Sequence, residues 1–227
     1  MKKEIFAGIL SIAILSGCAT SFDKLSAEKR LSSINVERIE AADASLKKPF
    51  KLAIFADMET VESSDEYYES WDWNQTENKL IESYAEDIKK QGVVSSYFII
   101  PEQGHSIQDI SSVMKEAESN GADALLAIRG IVKVNWYMNP AALLDPTIIG
   151  ALWLPGSNRD AMMLSHLDMW NLKNHEVVIA VKADCIRKNV APTFFISTAK
   201  TVDEVKIESL RKLLIEFRSK VTKMKME

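Results

Sequence analysis

Cys18 closes the tetrapeptide Leu15-Ser16-Gly17-Cys18, directly behind a short apolar run. The motif resembles the site where bacteria attach a diacylglyceryl group to the thiol, cleave before the cysteine and acylate the new amino terminus. Ahead of it stand Met1-Lys2-Lys3 and a mostly apolar stretch from Ile5 to Leu15, broken by Gly8 and Ser11. A basic start, an apolar run of this length and small residues before the cut describe a secretory signal peptide. The run is shorter than the ~20 apolar residues of a permanent membrane-spanning helix. The alternative is a plain signal peptide with a coincidental cysteine.

A second set of residues with chemical potential lies between Asp57 and Glu77. Asp57, Glu59, Glu62, Asp65, Glu66, Glu69, Asp72 and Glu77 occur there without one lysine or arginine, interleaved with Tyr67, Tyr68, Trp71 and Trp73. Aromatics among acids suit stacking on sugars, gripping a basic partner or holding a divalent cation. They equally suit a solvated loop folded back as a lid. Nothing in the stretch has the spacing of a dedicated calcium loop. His105, His166 and His175 are isolated, so no zinc site is expected. No G-x-S-x-G elbow, phosphate-binding loop or glycine-rich dinucleotide turn occurs, and eight glycines in 227 residues leave few for cofactor cradles. A non-catalytic protein without metal or cofactor is expected. The alternatives are an envelope polymer hydrolase built on a carboxylate pair, with Asp57 and Asp65 as candidates, and a small-ligand carrier.

Charge narrows the partners. Removal of residues 1–17 takes Lys2, Lys3 and Glu4 away, and 26 basic against 31 acidic residues leave a net charge of −5. Nucleic acid is thereby disfavoured, because its binding needs clustered positive charge. Loose adhesion to anionic lipid is disfavoured too, so the acyl chains must supply the membrane attachment. The chain has two cysteines. Lipidation of Cys18 leaves Cys185 alone, expected as a small buried apolar residue.

The elements that must position these groups follow from periodicity. Residues 18–48 are polar and mixed in charge, a tether with a helical turn or two near Ser26 to Ile34; residues 49–227 are expected to form one domain. Lys51–Phe55 and Val93–Pro101 read as strands. Between them Leu80, Ile81, Tyr84 and Ile88 fall at helical spacing, with Asn74 and Glu77 as a capping pair and Gly92 as the stop. A second helix opens near Ser106 and buries Ile107, Ile110, Val113, Met114 and Ala117. Asp123–Tyr137 alternates Leu126, Ile128, Val132, Val134 and Trp136 against Arg129, Lys133 and Asn135, a strand with one buried face. Met162–Trp170 and Glu176–Cys185 form a hairpin, His166 being a core histidine within it. Gly156–Asp160 reads as a tight turn and Phe194–Ser197 as a short edge strand. A last helix, capped near Thr201, buries Val205, Leu210, Leu213, Leu214, Phe217 and Val221. The fold class is α+β: a mixed, largely antiparallel sheet with helices packed on one face.

Met138–Pro155 interrupts that order. It is the most apolar part of the chain after the leader, yet Pro140, Asp145, Pro146 and Gly150 break it into pieces too short for a spanning helix. Either it packs on the core as an arch or it exposes an apolar patch of the kind that meets protein or lipid. The second reading places Ile148, Ile149, Leu152 and Trp153 at an interface, together with Tyr67, Tyr68, Trp71 and Trp73.

Two resemblances attach to these residues. Ala117–Gly130 is similar to the helix–Gly-Ala-Asp–strand junction of bacterial envelope proteins such as the curli secretion lipoprotein, the amino-terminal domain of the Tol translocation protein and the outer-membrane activators of peptidoglycan synthases. Thr147-Ile148-Ile149-Gly150-Ala151, Leu154-Pro155-Gly156 with Asn158 and Asp160, and the strand pair from Leu167 to Val181 resemble the rhombotarget lipoproteins. The resemblance implies a lipid-anchored envelope protein without established catalytic residues, and the candidate interface residues add association with a partner or with itself as the expected role. Ala19, where an aspartate would retain the protein at the inner membrane, resembles the outer-membrane sorting choice of enteric bacteria. The domain would then stand in the periplasm or at the cell surface.

Overall fold

The computed structural model describes Phe22, residues 24–32, 46–60, 72–101 and 109–224. Cys18, Asp65, Tyr67, Tyr68, Trp71, Ser106 and Ile107 lie outside the described residues. The elements run α1 (Lys24–Ser32), β1 (Phe50–Thr60), α2 (Gln75–Lys90), β2 (Val94–Ile99), α3 (Ile110–Ser119) and β3 (Ala124–Met138). A 3-10 turn (Pro140–Leu144), α4 (Ile148–Trp153), β4 (Ser157–Asn171), β5 (Glu176–Ala191) and α5 (Thr198–Lys223) follow.

The five strands form one mixed sheet in the order β2-β1-β3-β4-β5. β1 pairs in parallel with β2 and β3, and β3-β4 and β4-β5 are long antiparallel ladders. The α+β class expected from periodicity is the class observed. Helix α2 starts where the capping residues put it: the Thr76 amide donates to Asn74 Oδ1 at 2.7 Å and the Asn74 amide to Glu77 Oε2 at 2.9 Å. It ends before Gly92, whose φ of 72° is readily available only to glycine. Its Ile81, Ala85 and Ile88 pack with Val205, Leu210, Leu213, Leu214 and Phe217 of α5 on Leu52, Ile54, Leu126, Ile128 and Leu167.

Helices cover both faces of this sheet, where sequence periodicity placed them on one. The longest two, α2 and α5, share a face. On the opposite face α3 buries Val113, Met114 and Ala117 against Phe55, Leu125, Trp170 and Val177, while α1 buries Ala27 and Leu31 against Ile131, Met162 and Leu164. The crossover from β1 to β2 and the return from β2 to β3 run in opposite directions across the sheet. Right-handed connections then put their helices on opposite faces. Arg129, beneath the end of α1, is buried, not solvated.

Three local readings are corrected. Gly156–Asp160 is no turn: β4 begins at Ser157, and Ser157, Asn158 and Asp160 are buried. Residues 194–197 form no strand but the approach to α5, whose cap is Ser197, accepting from the Lys200 amide at 3.2 Å, and not Thr201. The helical turns expected near Ser26 to Ile34 are present as α1, and what changes is that this helix packs on the sheet. Cys185 is buried within β5; burial, reinforced by the Glu208 carboxylate, raises its thiol above the usual range.

Candidate contact surface

β1 ends at Thr60, opposite Val132, but β3 runs six residues further to Met138. At about 3.3 Å per residue this is an arm ~20 Å long, made, among the described residues, of β3, β4 and β5. Its apex is the apolar excursion, closed at the neck by Asn139. The Asn139 amide donates to the Gly156 carbonyl at 2.9 Å, and Asn139 Nδ2 donates to the Pro155 carbonyl at 2.6 Å. The 3-10 turn and α4 are capped in turn by Asn139, which accepts from the Ala141 amide, and Thr147, which accepts from the Gly150 amide, both at 2.9 Å. Gly150 sits where a β-carbon would overlap the Leu144 carbonyl. So tight a backbone approach fixes α4 against the turn before it.

The scaffold is closed, and its large side chains point outward. Trp153 is 76% exposed and Ile149 74%, with Leu143, Leu144 and Met138 also exposed. Leu152 is half-buried and Ile148 opens α4. A second segment joins them. Thr193 Oγ1 donates to Asp145 Oδ2 at 2.5 Å and accepts from Ser157 Oγ at 2.9 Å, which brings the loop after β5 against the excursion. That loop carries Phe194 and Phe195, both exposed, next to exposed Val190. Asp145 is the one ionisable residue between Met138 and Gly156, and none lies between Val190 and Ala199. With Asp145 engaged by Thr193, the tip presents Leu, Ile, Trp, Phe and Val to the outside with little charge among them.

Beneath the tip the arm is braced. Arg159 stacks on Trp136 at 4.6 Å and donates through Nε to Thr198 Oγ1 at 3.0 Å, joining the start of α5 to β4. On the other face the Tyr137 hydroxyl donates to buried Asp160 at 3.2 Å. Burial raises the Asp160 carboxyl above its ordinary range, against the effect of that hydrogen bond.

The expected contact residues therefore separate. Ile149 and Trp153 reach solvent together, Leu152 in part, while Cys18, Tyr67, Tyr68 and Trp71 fall outside the described residues. Trp73 does not belong with them: it is 9% exposed and packs among the core residues of the α2/α5 face, beside Gly130. Sequence reasoning missed Phe194 and Phe195, although the lack of charge around them was a usable signal. It also missed a polar row. Asp57, Arg129, His166 and Lys182 are successive partners across β1, β3, β4 and β5. Arg129, 4% exposed, forms an ion pair with buried Asp168, beside buried His166. Among the described residues no group of three or more His, Cys, Asp or Glu side chains is arranged to hold a metal ion.

No family model matches the chain, and no curated protein does. Among solved structures it is similar to the PelC dodecamer from Paraburkholderia phytofirmans, at 13% identity over 77% of this chain and 94% of that one, with a TM-score of 0.31. It is also similar to a lipoprotein from Neisseria meningitidis, at 13% identity over 72% and 97%, with a TM-score of 0.33. The carboxy-terminal domain of LpoB from Salmonella enterica matches at 12% identity over 72% and 98%, with a TM-score of 0.30.

Proposed function

We propose that the chain is a lipid-anchored protein of the bacterial envelope whose α+β domain works by contact rather than catalysis, binding an envelope protein or a second copy through the tip of the β3-β4-β5 arm. The observation that carries this is the tip itself: two nearly uncharged segments, hydrogen-bonded together, hold Trp153, Ile149, Leu143, Phe194 and Phe195 outward. Monomeric proteins seldom expose contiguous apolar area beyond a few hundred Å² unless it meets something. Aromatic side chains on a fixed backbone suit this use, since little conformational freedom remains to be lost on binding. The anchor rests on the Leu15–Cys18 motif, and the rhombotarget resemblance of Thr147–Asp160 falls on the excursion and the strand that follows it.

Crosslinking in intact membranes tests the reading. A photoreactive residue at Ile149 or Phe194 should give a defined adduct, either a dimer of this chain or one partner, while the same probe at exposed Lys212 should not. Adducts of equal yield from both positions would refute the tip as the contact.

A further inference from the structure

β5 is the last strand of the sheet, and the two halves of its outer edge differ. Backbone groups alternate in direction along an antiparallel strand. The Ala183 carbonyl is met from β4, by the Ser165 hydroxyl at 3.3 Å. The Ala180 and Asp184 carbonyls are met from α5 instead, by Lys220 Nζ at 2.8 Å and Lys212 Nζ at 3.3 Å. Even-numbered residues therefore turn their backbone outward, and α5 caps them as far as Asp184. Beyond it, in the part of β5 that belongs to the arm, the amides and carbonyls of Ile186, Lys188 and Val190 bond to no described residue. Arg187 and Asn189 are drawn to α5 by Glu208 and Thr201. Ile186 and Val190, by contrast, are 45% and 56% exposed, with exposed Lys188 between them. Lys188 forms no ion pair with a described residue, since Asp160 across the ladder is buried and accepts from the Tyr137 hydroxyl. Sheets usually blunt such an edge; this one is blunted over half its length.

We propose that the Ile186–Val190 edge takes up an extended strand of a partner protein, one with an acidic residue opposite Lys188 and apolar residues opposite Ile186 and Val190. This rests on the reading of the arm as the contacting part and names what it contacts. Main-chain groups spaced over about 14 Å supply the affinity, and the three outward side chains supply the selectivity. The edge runs into the tip: Thr193, three residues after Val190, holds the loop of Phe194 and Phe195 to Asp145. One partner can therefore meet both. Charge decides which strand fits. A second copy pairs with this edge about a two-fold axis, and an axis at Arg187 or Lys188 sets two cations directly opposite, which is unfavourable. An axis at Ile186 needs the Asp184 carbonyl that Lys212 already holds. An axis at Asn189 sets Ile186 against Pro192, which has no N–H to give. An acidic strand meets none of these obstacles. Lys188 guards the edge against indiscriminate pairing and admits a carboxylate.

The test is residue-resolved amide exchange of the full chain in detergent micelles with two synthetic peptides, Thr-Ile-Thr-Glu-Thr-Val-Thr and its counterpart with lysine in place of glutamate. Without peptide, the amides of Ile186, Lys188 and Val190 should exchange fast, while those of Arg187 and Asn189, turned toward β4, exchange slowly. Slow exchange at all of them would show an edge already covered and overturn the proposal. The glutamate peptide at millimolar concentration should slow the three outward amides, and the lysine peptide should need about five-fold more for the same protection. In Lys188→Glu that order should reverse. Ile186→Pro removes an outward donor that β4 does not use, and should weaken both peptides. Protection by neither peptide overturns the edge as a strand site. Equal protection by both, or an order unmoved by Lys188→Glu, overturns the acidic partner. In intact membranes, a photoreactive residue at Val190 should capture the same protein as one at Phe194; a dimer of this chain from Val190 would overturn the foreign strand. Trp153→Asp separates the two readings, since it should remove the Phe194 adduct yet leave the peptide order intact. A Phe194 adduct without edge protection leaves the tip standing and sinks the edge.

Discussion

Trp73 and Trp153 carry the same side chain into opposite surroundings. Trp73, in a run of acids, lies over Gly130 in the core of the α2/α5 face. Trp153, in a run of aliphatics, stands 76% exposed at the end of the arm. Local composition alone points the other way in both cases. What decides is the space each backbone meets. At Gly130 the absent side chain leaves space that the Met163 methyl fills, with Met58 and the edge of the Trp73 indole closing round it. The close approach of α4 to the preceding turn at Gly150 leaves no room for a side chain there, and Ile149 and Trp153 stand outward.

The contrast is sharpest in stability. Trp73→Ala should destabilise the domain by about 3–5 kcal/mol, as large-to-small core changes at tryptophan do. Chemical denaturation checks this, and a loss below about 1 kcal/mol would put Trp73 back among surface residues. Gly150→Ala asks the complementary question of the tip. Its new methyl meets backbone rather than a pliable side chain, so we expect a cost of about 1–3 kcal/mol, typical of overpacking. Amide exchange between residues 140 and 154 should quicken with it. An unperturbed tip would mean that the excursion is looser than its hydrogen bonds imply.

A third prediction concerns the base of the arm. Because burial raises Asp160, the folded state binds its proton more tightly than the unfolded chain does. Its contribution to stability is therefore present below the ordinary aspartate pKa and is lost as pH rises through the folded value. Asp160→Asn abolishes this titration. Relative to the parent, the variant should gain stability as pH rises from the ordinary aspartate pKa through the range above it. A difference between the two proteins that is flat across that range would show that Asp160 is solvated in the folded state.

Sequence periodicity was enough to locate the helices and strands of the body because each buries a regular stripe: Ile81, Ala85 and Ile88 in α2, or Leu213, Leu214, Phe217 and Val221 in α5. Alternation misled at β3, where Arg129 reads as a solvent-facing residue. Its burial depends on α1, nearly a hundred residues earlier, and on Asp168 across the strand pair, neither of which leaves a periodic mark. The tip was half legible. Its hydrophobic content was plain in Met138–Pro155, but the contribution of Phe194 and Phe195 depends on the Thr193–Asp145 hydrogen bond, a contact between segments 48 residues apart. The start of β4 was hidden for a related reason. Gly156-Ser157-Asn158-Arg159-Asp160 has the composition of a turn, and only pairing with residues 135–138 on one side and 188–191 on the other makes it a strand.

The smallest expected effect on stability is also the one that bears most directly on function. Trp153→Asp and Ile149→Asp place a carboxylate where the side chain already faces water, so neither loses buried contacts nor desolvates the new charge. Each should cost less than about 1 kcal/mol, as surface substitutions usually do, in clear contrast to Trp73→Ala. Association is a different matter. If the tip is the contact, a carboxylate there must be stripped of water or left unpaired in the interface, a penalty of several kcal/mol, and a tenfold loss of affinity needs only about 1.4 kcal/mol. Crosslinked-adduct yield from the tip should therefore fall at least tenfold while the melting profile stays in place. A destabilisation of about 3 kcal/mol or more from either change would instead make α4 part of the core, and the working surface of the molecule would have to be sought elsewhere.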